Sequence, residues 1–506
     1  MKCRALLFLV FAVSSFWEQQ SAAQPLEPAH NTAQEENETA DVVFARRFSD
    51  VVLLLGKQVP RFLGQGIPEI RLMVWHQGRW QPVPFQIDEK SEDGRYLYPY
   101  GAKNDQDELD GRLDGEDEIV FMARDVAGKA SSSEWPAGHT DAEEIEVIDP
   151  LSGERGWFYL FSFPDPPSLS SVDLIRYDPD LDRFYSRYYE VGYSRVPSEQ
   201  KAVMEYYSVP VESGGNGVNW FDSAKIWVRI KLFFSLVKIV IHSSDFTSAV
   251  PAYIDGPIRV IVKKRTSIRI GMGLRTPNVD ADLVYYPYFF TSSLVIAIPF
   301  DPSILTSSLC LSAGTDLDHN AMGMLFWNSE NLEPMLVDGR MSPQEKAMDL
   351  GADRWRVISG TQGKYLAKSV YAGNFKLSNI KIDEGQYIDD FRHREPPENE
   401  PGIFGSYNWK WDITNGKRGK YVAWIEAHYG PPIKKPQDLT DCLNVTDHPL
   451  RIRIGSVESP NCLLTPPPGF TEEILPEMYE RGGQRAGELP HKPPTRGGKA
   501  ASRGER

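Results

Sequence analysis

The chain has 506 residues, with 70 Asp and Glu against 55 Lys and Arg and a formal net charge of −15. That balance argues against nucleic acid and anionic membrane surfaces as partners of the body of the chain, because both are met by basic surfaces. The length exceeds one ordinary core and predicts two domains.

The N-terminus reads as an export signal. Lys2 and Arg4 precede a short apolar stretch over residues 5–13, and Ser21-Ala22-Ala23 forms a small-residue cleavage site before Gln24. That stretch is too short to span a bilayer. Residues 293–311, the next most apolar stretch, contain Pro299, Asp301 and Pro302, which break a spanning helix. The expectation is a periplasmic or extracellular protein with no transmembrane span. Its signal peptide would cover 1–23, and a polar disordered leader 24–41.

Residues 42–167 read as a first β-sandwich domain. Short runs rich in β-branched and aromatic residues sit at 51–55, 70–75, 83–87, 119–123, 145–148 and 157–161, separated by Gly, Pro and Asp turns. Pro84 marks the 83–87 run as an edge strand or a strand start. A Pro/Ser-rich joint at 164–171 precedes a larger β-rich domain over 168–464. Its expected strands include 225–233, 237–242, 258–263, 267–270, 282–286, 294–298, 324–327, 355–359, 376–382 and 421–427. Helical patterning is scarce. The clearest helix is 342–350, with Ser342 as N-cap and Pro343 at the first position. The fold class expected is mostly β, two antiparallel sandwich-like domains with few short helices. From 465 to 506 the chain is rich in Pro, Gly and Arg and reads as a disordered tail.

Between Asn104 and Glu118 eight carboxylates crowd one loop, with Arg112 as the basic residue among them. Like charges about 4 Å apart repel by roughly 1 kcal/mol even in water. Two readings answer this. Asp110, Asp114, Asp117 and Glu118 hold Ca2+, or the loop is a hydrated acidic turn whose glycines supply φ > 0. The loop resembles an EF-hand only in part: with Asp110 and Asp114 at the first and fifth positions Gly115 falls correctly at the sixth, but Arg112 and Phe121 fall where that loop needs ligands.

Asp88 and Glu89 follow a strand and form a candidate carboxylate pair for acid–base chemistry or ligand binding, against the reading of a solvated loop. Tyr407, Trp409 and Trp411 alternate, which puts both indoles on one strand face. Exposed, they form a platform for sugar rings; buried, they are core. Among the histidines, His319 in Asp316-Leu317-Asp318-His319-Asn320 is the most site-like and His393 the second. Nucleophile-elbow, zinc-protease and phosphate-loop motifs are all missing from the sequence. Without Cys-x-x-Cys-His there is no c-type haem. Cys442 and Cys462 bracket a strand-like segment at 449–457, and a disulfide there would contribute roughly 3 kcal/mol, leaving Cys310 free.

The runs Val83-Pro84-Phe85-Gln86-Ile87-Asp88-Glu89 and Leu113-Asp114-Gly115-Glu116-Asp117-Glu118-Ile119-Val120-Phe121-Met122-Ala123-Arg124-Asp125, with the 323–339 stretch, resemble an uncharacterised group of exported bacterial β-proteins. The resemblance implies a periplasmic or extracellular protein and brings no catalytic residue. Two functions remain open at this point. One is a non-catalytic binding or structural protein of the bacterial envelope, calcium-stabilised, with a polysaccharide or an envelope protein as partner. The other is a carbohydrate-active enzyme, a polysaccharide lyase or hydrolase, using the acidic and aromatic residues of a sandwich cleft.

Overall fold

Strand alternation decides the first domain. Along Ile70–His76, Ile70, Leu72 and Val74 face one core while Met73 and Trp75 face the opposite side. The computed structural model describes residues 44, 46–193, 201–232, 236–271, 274–276, 278–298, 301–304, 306–350, 354–373, 382–394 and 401–461. The signal peptide, leader and tail expected from the sequence lie outside the described residues, as does Cys462 and with it the expected disulfide. Strands make up 50% of the structure, in several antiparallel sheets, so the fold is mostly β. Among the described residues no helix is long and apolar enough to cross a membrane.

A three-stranded sheet, with Glu118–Met122 between Val51–Leu55 and the edge strand Phe85–Asp88, packs on a six-stranded one. Edge placement suits Phe85–Asp88, which starts directly after Pro84. Glu118–Met122 is buried on both faces, which is why it reads as an unbroken apolar run. Ile119 and Phe121 enter the first domain's own core. Val120 and Met122 pack on Ile258, Tyr286, Tyr288 and Phe289 of the second domain.

The domain boundary differs from the expected 168–464. Strands Arg451–Ile454 and Val457–Pro460 leave the second domain and extend the first domain's sheet, Arg451–Ile454 pairing with Asp141–Ile148. Leu450 and Ile452 are buried in the first core. Asn461 then closes the edge of the other sheet, its side chain bonding Val51 O at 2.6 Å and Leu53 N at 2.9 Å. Pairing between strands 300 residues apart leaves no local signal, so the return is invisible to periodicity. The 164–171 joint is largely exposed and forms neither strand nor helix; Arg71 holds it through Pro167 O at 2.6 Å.

The second domain sets a five-stranded sheet against a ten-stranded one. The first runs Val237–His242, Phe221–Leu232, Thr306–Leu317, Pro401–Asp412, Ile382–Arg394. Both contribute to one aromatic-rich core, with Phe221, Tyr387 and Tyr407 from the smaller sheet and Tyr285, Phe326 and Tyr429 from the larger. Two α-helices occur among the described residues. Pro343–Lys346 is shorter than expected but carries the expected Ser342 cap, reinforced by Glu345 in a capping box. Pro436–Asp447, unforeseen, buries Cys442, Leu443 and Val445. Its β-branched and Asx residues are weak helix formers, so tertiary packing sets it. Arg47, buried at 1% exposure, bonds Asn444 O and His448 O at that helix's C-terminal end, along with Asp50 and Asp149.

Candidate functional site

The two motifs of the first domain meet in a buried ionic cluster. Gln86 Nε2 donates to Asp88 Oδ1 at 2.7 Å, and Gln86 Oε1 accepts from Ile258 N and Arg259 N across the domain boundary. Gly256 leaves room for that amide, since a Cβ there would overlap it. Arg259 binds Asp88 at 2.7 Å and Glu118 at 2.6 Å, while Lys90 binds the other Glu118 oxygen at 2.9 Å. Tyr96 and Tyr286 hydroxyls complete the cluster. Two carboxylates thus face two cations with all four side chains buried. Burial opposes ionisation, but Arg259 and Lys90 overcome it at Glu118 and hold its carboxyl down at about 2. Asp88, with Arg259 alone, is pushed up by burial. This arrangement joins two domains, its two carboxylates turned to Arg259, Lys90, Gln86 and Tyr96.

The acidic loop is met largely by protein donors. Asp117 accepts Lys90 N and Asp114 N, each at 2.7 Å, and Glu89 accepts Asp110 N at 3.0 Å and Gly111 N at 3.1 Å. Arg95, outside the loop in sequence, binds Asp105 at 3.3 Å and Glu108 at 2.8 Å. Of the four expected calcium ligands, Asp117 and Glu118 are buried on protein partners, and Asp110 and Asp114 are exposed. Among the described residues no three or more His, Cys, Asp or Glu side chains converge to hold a metal ion. Asp117 and Glu118 spend their charge on protein donors, which leaves a cation little to gain at this loop. EDTA is therefore expected to leave the melting temperature within about 1 °C of its starting value. A fall of several degrees, removed by Asp114→Asn, would make calcium part of the fold.

Trp409 and Trp411 do share a face, their rings 6.2 Å apart. That face is the interior. Tyr407 and Trp411 are buried, Trp409 is half-buried, and Tyr407 stacks on Phe326 of the opposite sheet. The Arg356 guanidinium lies 4.1 Å from the Tyr407 ring centre. Of the two readings the sequence left open for these residues, platform and core, the structure has core.

A cavity of about 210 Å³ opens instead at one end of the five-stranded sheet, lined by Asp222, Lys225, Asp316, Asp318, His319 and Phe404 among others. A β-bulge between Phe221 and Ser223 inserts Asp222 as the extra residue and re-aims it. Asp316 lies opposite Ser223 and forms a buried ion pair with Lys225. Ser406 Oγ donates to its second oxygen at 3.1 Å. Asp318 caps the short turn His319–Ala321, accepting Asn320 N at 2.7 Å, and leaves His319 exposed at the rim. Burial raises the Asp316 carboxyl to about 6 against the pull of Lys225, and Asp222 adds to the rise. The cleft thus offers carboxylate acceptors, an ammonium donor and an aromatic wall. The sequence pointed to His319 and its two aspartates; nothing in it brought Asp222 and Lys225 to them, because a bulge and cross-strand register did.

No protein-family model and no curated protein matches the chain. Among solved structures it is similar to an alpha-mannosidase from Enterococcus faecalis V583, with 7% identity and a TM-score of 0.36 over 79% of this chain and 48% of that one. It is similar to a protein in the Glycosyl Hydrolase Family 38 from Enterococcus faecalis, at 5% identity and 0.39, over 77% and 42%. Heparan sulfate lyase HepC from Pedobacter heparinus follows, at 7% and 0.27, over 58% and 43%. The chain spans less than half the length of each, and at this level of superposition no residue's role carries over.

Proposed function

We propose that this chain is a non-catalytic binding protein of the bacterial envelope that takes a hydroxyl-rich ligand, such as the end of a polysaccharide, at the Asp222–Lys225–Asp316 cleft. The signal-like N-terminus supports work outside the cytoplasm. The observation that carries the reading is the cleft's mixed polarity. Asp222, Asp316 and Asp318 accept from hydroxyls, Lys225 donates, and Phe404 offers an apolar wall to a ring face. A volume of about 210 Å³ is below the roughly 300 Å³ of common ligand pockets and suits one ring better than a long segment. Calorimetry with neutral oligosaccharides tests it. Asp316→Asn or Asp222→Asn is expected to weaken binding roughly 10- to 100-fold, the value of one hydrogen bond to a charged group. Equal affinity in both variants, or no binding across the panel, overturns the reading.

One observation favours catalysis as a second reading. Asp316, raised to about 6 beside Asp222, has the proton affinity of a general acid next to a second carboxylate. Release of reducing ends or unsaturated products from the same polysaccharides, lost in Asp316→Asn, would establish a hydrolase or lyase.

A further inference from the structure

The five-stranded sheet has a second, contrasting end. Strand Phe221–Leu232 begins at the cleft and runs away from it to Leu232. There Leu232 lies beside Val237 on one side and Thr306 on the other. With strands about 4.8 Å apart, the two flanking positions are roughly 10 Å from each other. Beside them stand Leu236 and Ile304, the two most exposed large apolar side chains among the described residues, at 83% and 70%. Val237 and Val240 are exposed as well. Single exposed aliphatics are ordinary, as at Val211 or Val457; Leu236, Val237 and Ile304 stand on adjacent elements at one sheet end, and Val240 lies on the opposite strand face, with Arg229 and Lys238.

Charge reverses at the same place. Lys231 is directly opposite Lys238, and Arg229, two residues along on the same face, is opposite Val240. All three basic residues are exposed. Like charges directly opposite each other destabilise a strand pair, so an anionic partner relieves a repulsion already built in. The carboxylates at this end are turned to protein partners: Asp301 holds Lys417 at 3.2 Å and Arg418 N at 2.7 Å, and Asp412 accepts Thr414 N at 3.0 Å. A basic face beside protruding aliphatics, in a chain of net charge −15, departs from the body-wide balance.

We propose that this end of the sheet docks on an anionic lipid bilayer, with Leu236 and Ile304 entering the acyl boundary and Arg229, Lys231 and Lys238 meeting the headgroups. Interfacial anchoring combines these two ingredients. A soluble polyanion would use the lysines but leave the aliphatics in water. A second copy paired along the Val237–His242 edge would bring further lysines together. The surface lies at the far end of the sheet from the cleft and is independent of what the cleft binds.

Vesicle co-sedimentation of the full chain tests the proposal, comparing phosphatidylcholine alone with phosphatidylcholine containing about 30% phosphatidylglycerol at about 0.1 M salt. Binding is expected to the anionic vesicles and not to the neutral ones. Lys231→Gln and Lys238→Gln should each weaken it about fivefold. The pair Leu236→Ser and Ile304→Ser should weaken it at least about tenfold. Melting temperature should not fall in any of these variants, because the side chains are in solvent; the lysine variants, which remove a like-charge pair, should hold or raise it. No vesicle binding, or equal binding to neutral vesicles, overturns the proposal. So does loss in the lysine variants with none in the serine pair, which indicates a phosphate site alone. Concentration-dependent dimerisation that Leu236→Ser breaks, without vesicle binding, assigns the patch to a second copy instead.

Discussion

Arg259→Met is expected to cost about 3–5 kcal/mol of stability, the usual consequence of breaking a buried ion pair from one side. Arg259 is 0% exposed and bridges Asp88 and Glu118 from the second domain. Removing it leaves two buried carboxylates with Lys90 as the single cation of the cluster. Methionine fills much of the volume, so the loss reports charge more than packing. Chemical denaturation of wild type and variant measures it, with fluorescence and circular dichroism as separate probes. Because the cluster spans the boundary, both probes should shift together; a loss under about 1 kcal/mol would mean the domains are held by apolar contact alone. The pair Arg259→Met with Glu118→Gln should cost less than the two single changes added, since each removes a charge the other leaves stranded.

Much of this architecture was legible because it is local. Short runs rich in β-branched and aromatic residues marked Val51–Leu55, Ile70–His76 and Val237–His242 closely, and Ser342-Pro343 announced its short helix. What escaped has no local signature. The 451–460 hairpin reads as a strand but not as part of the first sheet, and helix Pro436–Asp447 is made by the surface it covers. Asp88, Asp117 and Glu118 stood out in the sequence as groups for calcium, a ligand or water; the structure buries all three on protein partners, while Asp114 stays exposed. Glu118 begins an apolar strand because it is drawn into the interior by Arg259, 141 residues away. A sequence shows charge spacing along the chain; it does not show which distant cation answers it. The same limit hid the cleft, where Asp222 and Lys225 reach Asp316 through a bulge.

Stability is expected to peak near pH 4, falling toward pH 2 and falling further toward pH 8. Two groups of carboxyls pull in opposite directions. Glu118 titrates at about 2 in the fold against 4.5 ordinarily. Its contribution is complete above pH 4.5 and is lost as pH falls from there toward 2. At about 1.4 kcal/mol per tenfold change in proton affinity, that is about 3 kcal/mol. Asp50 behaves oppositely. Burial raises it from 3.8 to about 7 against Arg47, which it shares with Asp149, and one of its oxygens is buried without a partner. The folded protein therefore holds this proton more tightly than the unfolded chain. The penalty of ionising Asp50 grows as pH rises from about 4 to 7, is complete above 7, and approaches about 4 kcal/mol. Asp255 and Asp316, raised by burial to about 6, add in the same direction. Urea midpoints from pH 3 to 8 read the balance. Asp50→Asn keeps the shape of the protonated carboxyl and should remove about half of the slope between pH 5 and 8 while leaving the acid limb intact. Wild-type stability that is level or rising from pH 5 to 8 would show that Asp50 is ionised in the fold at no cost, with Arg47 shared evenly between it and Asp149.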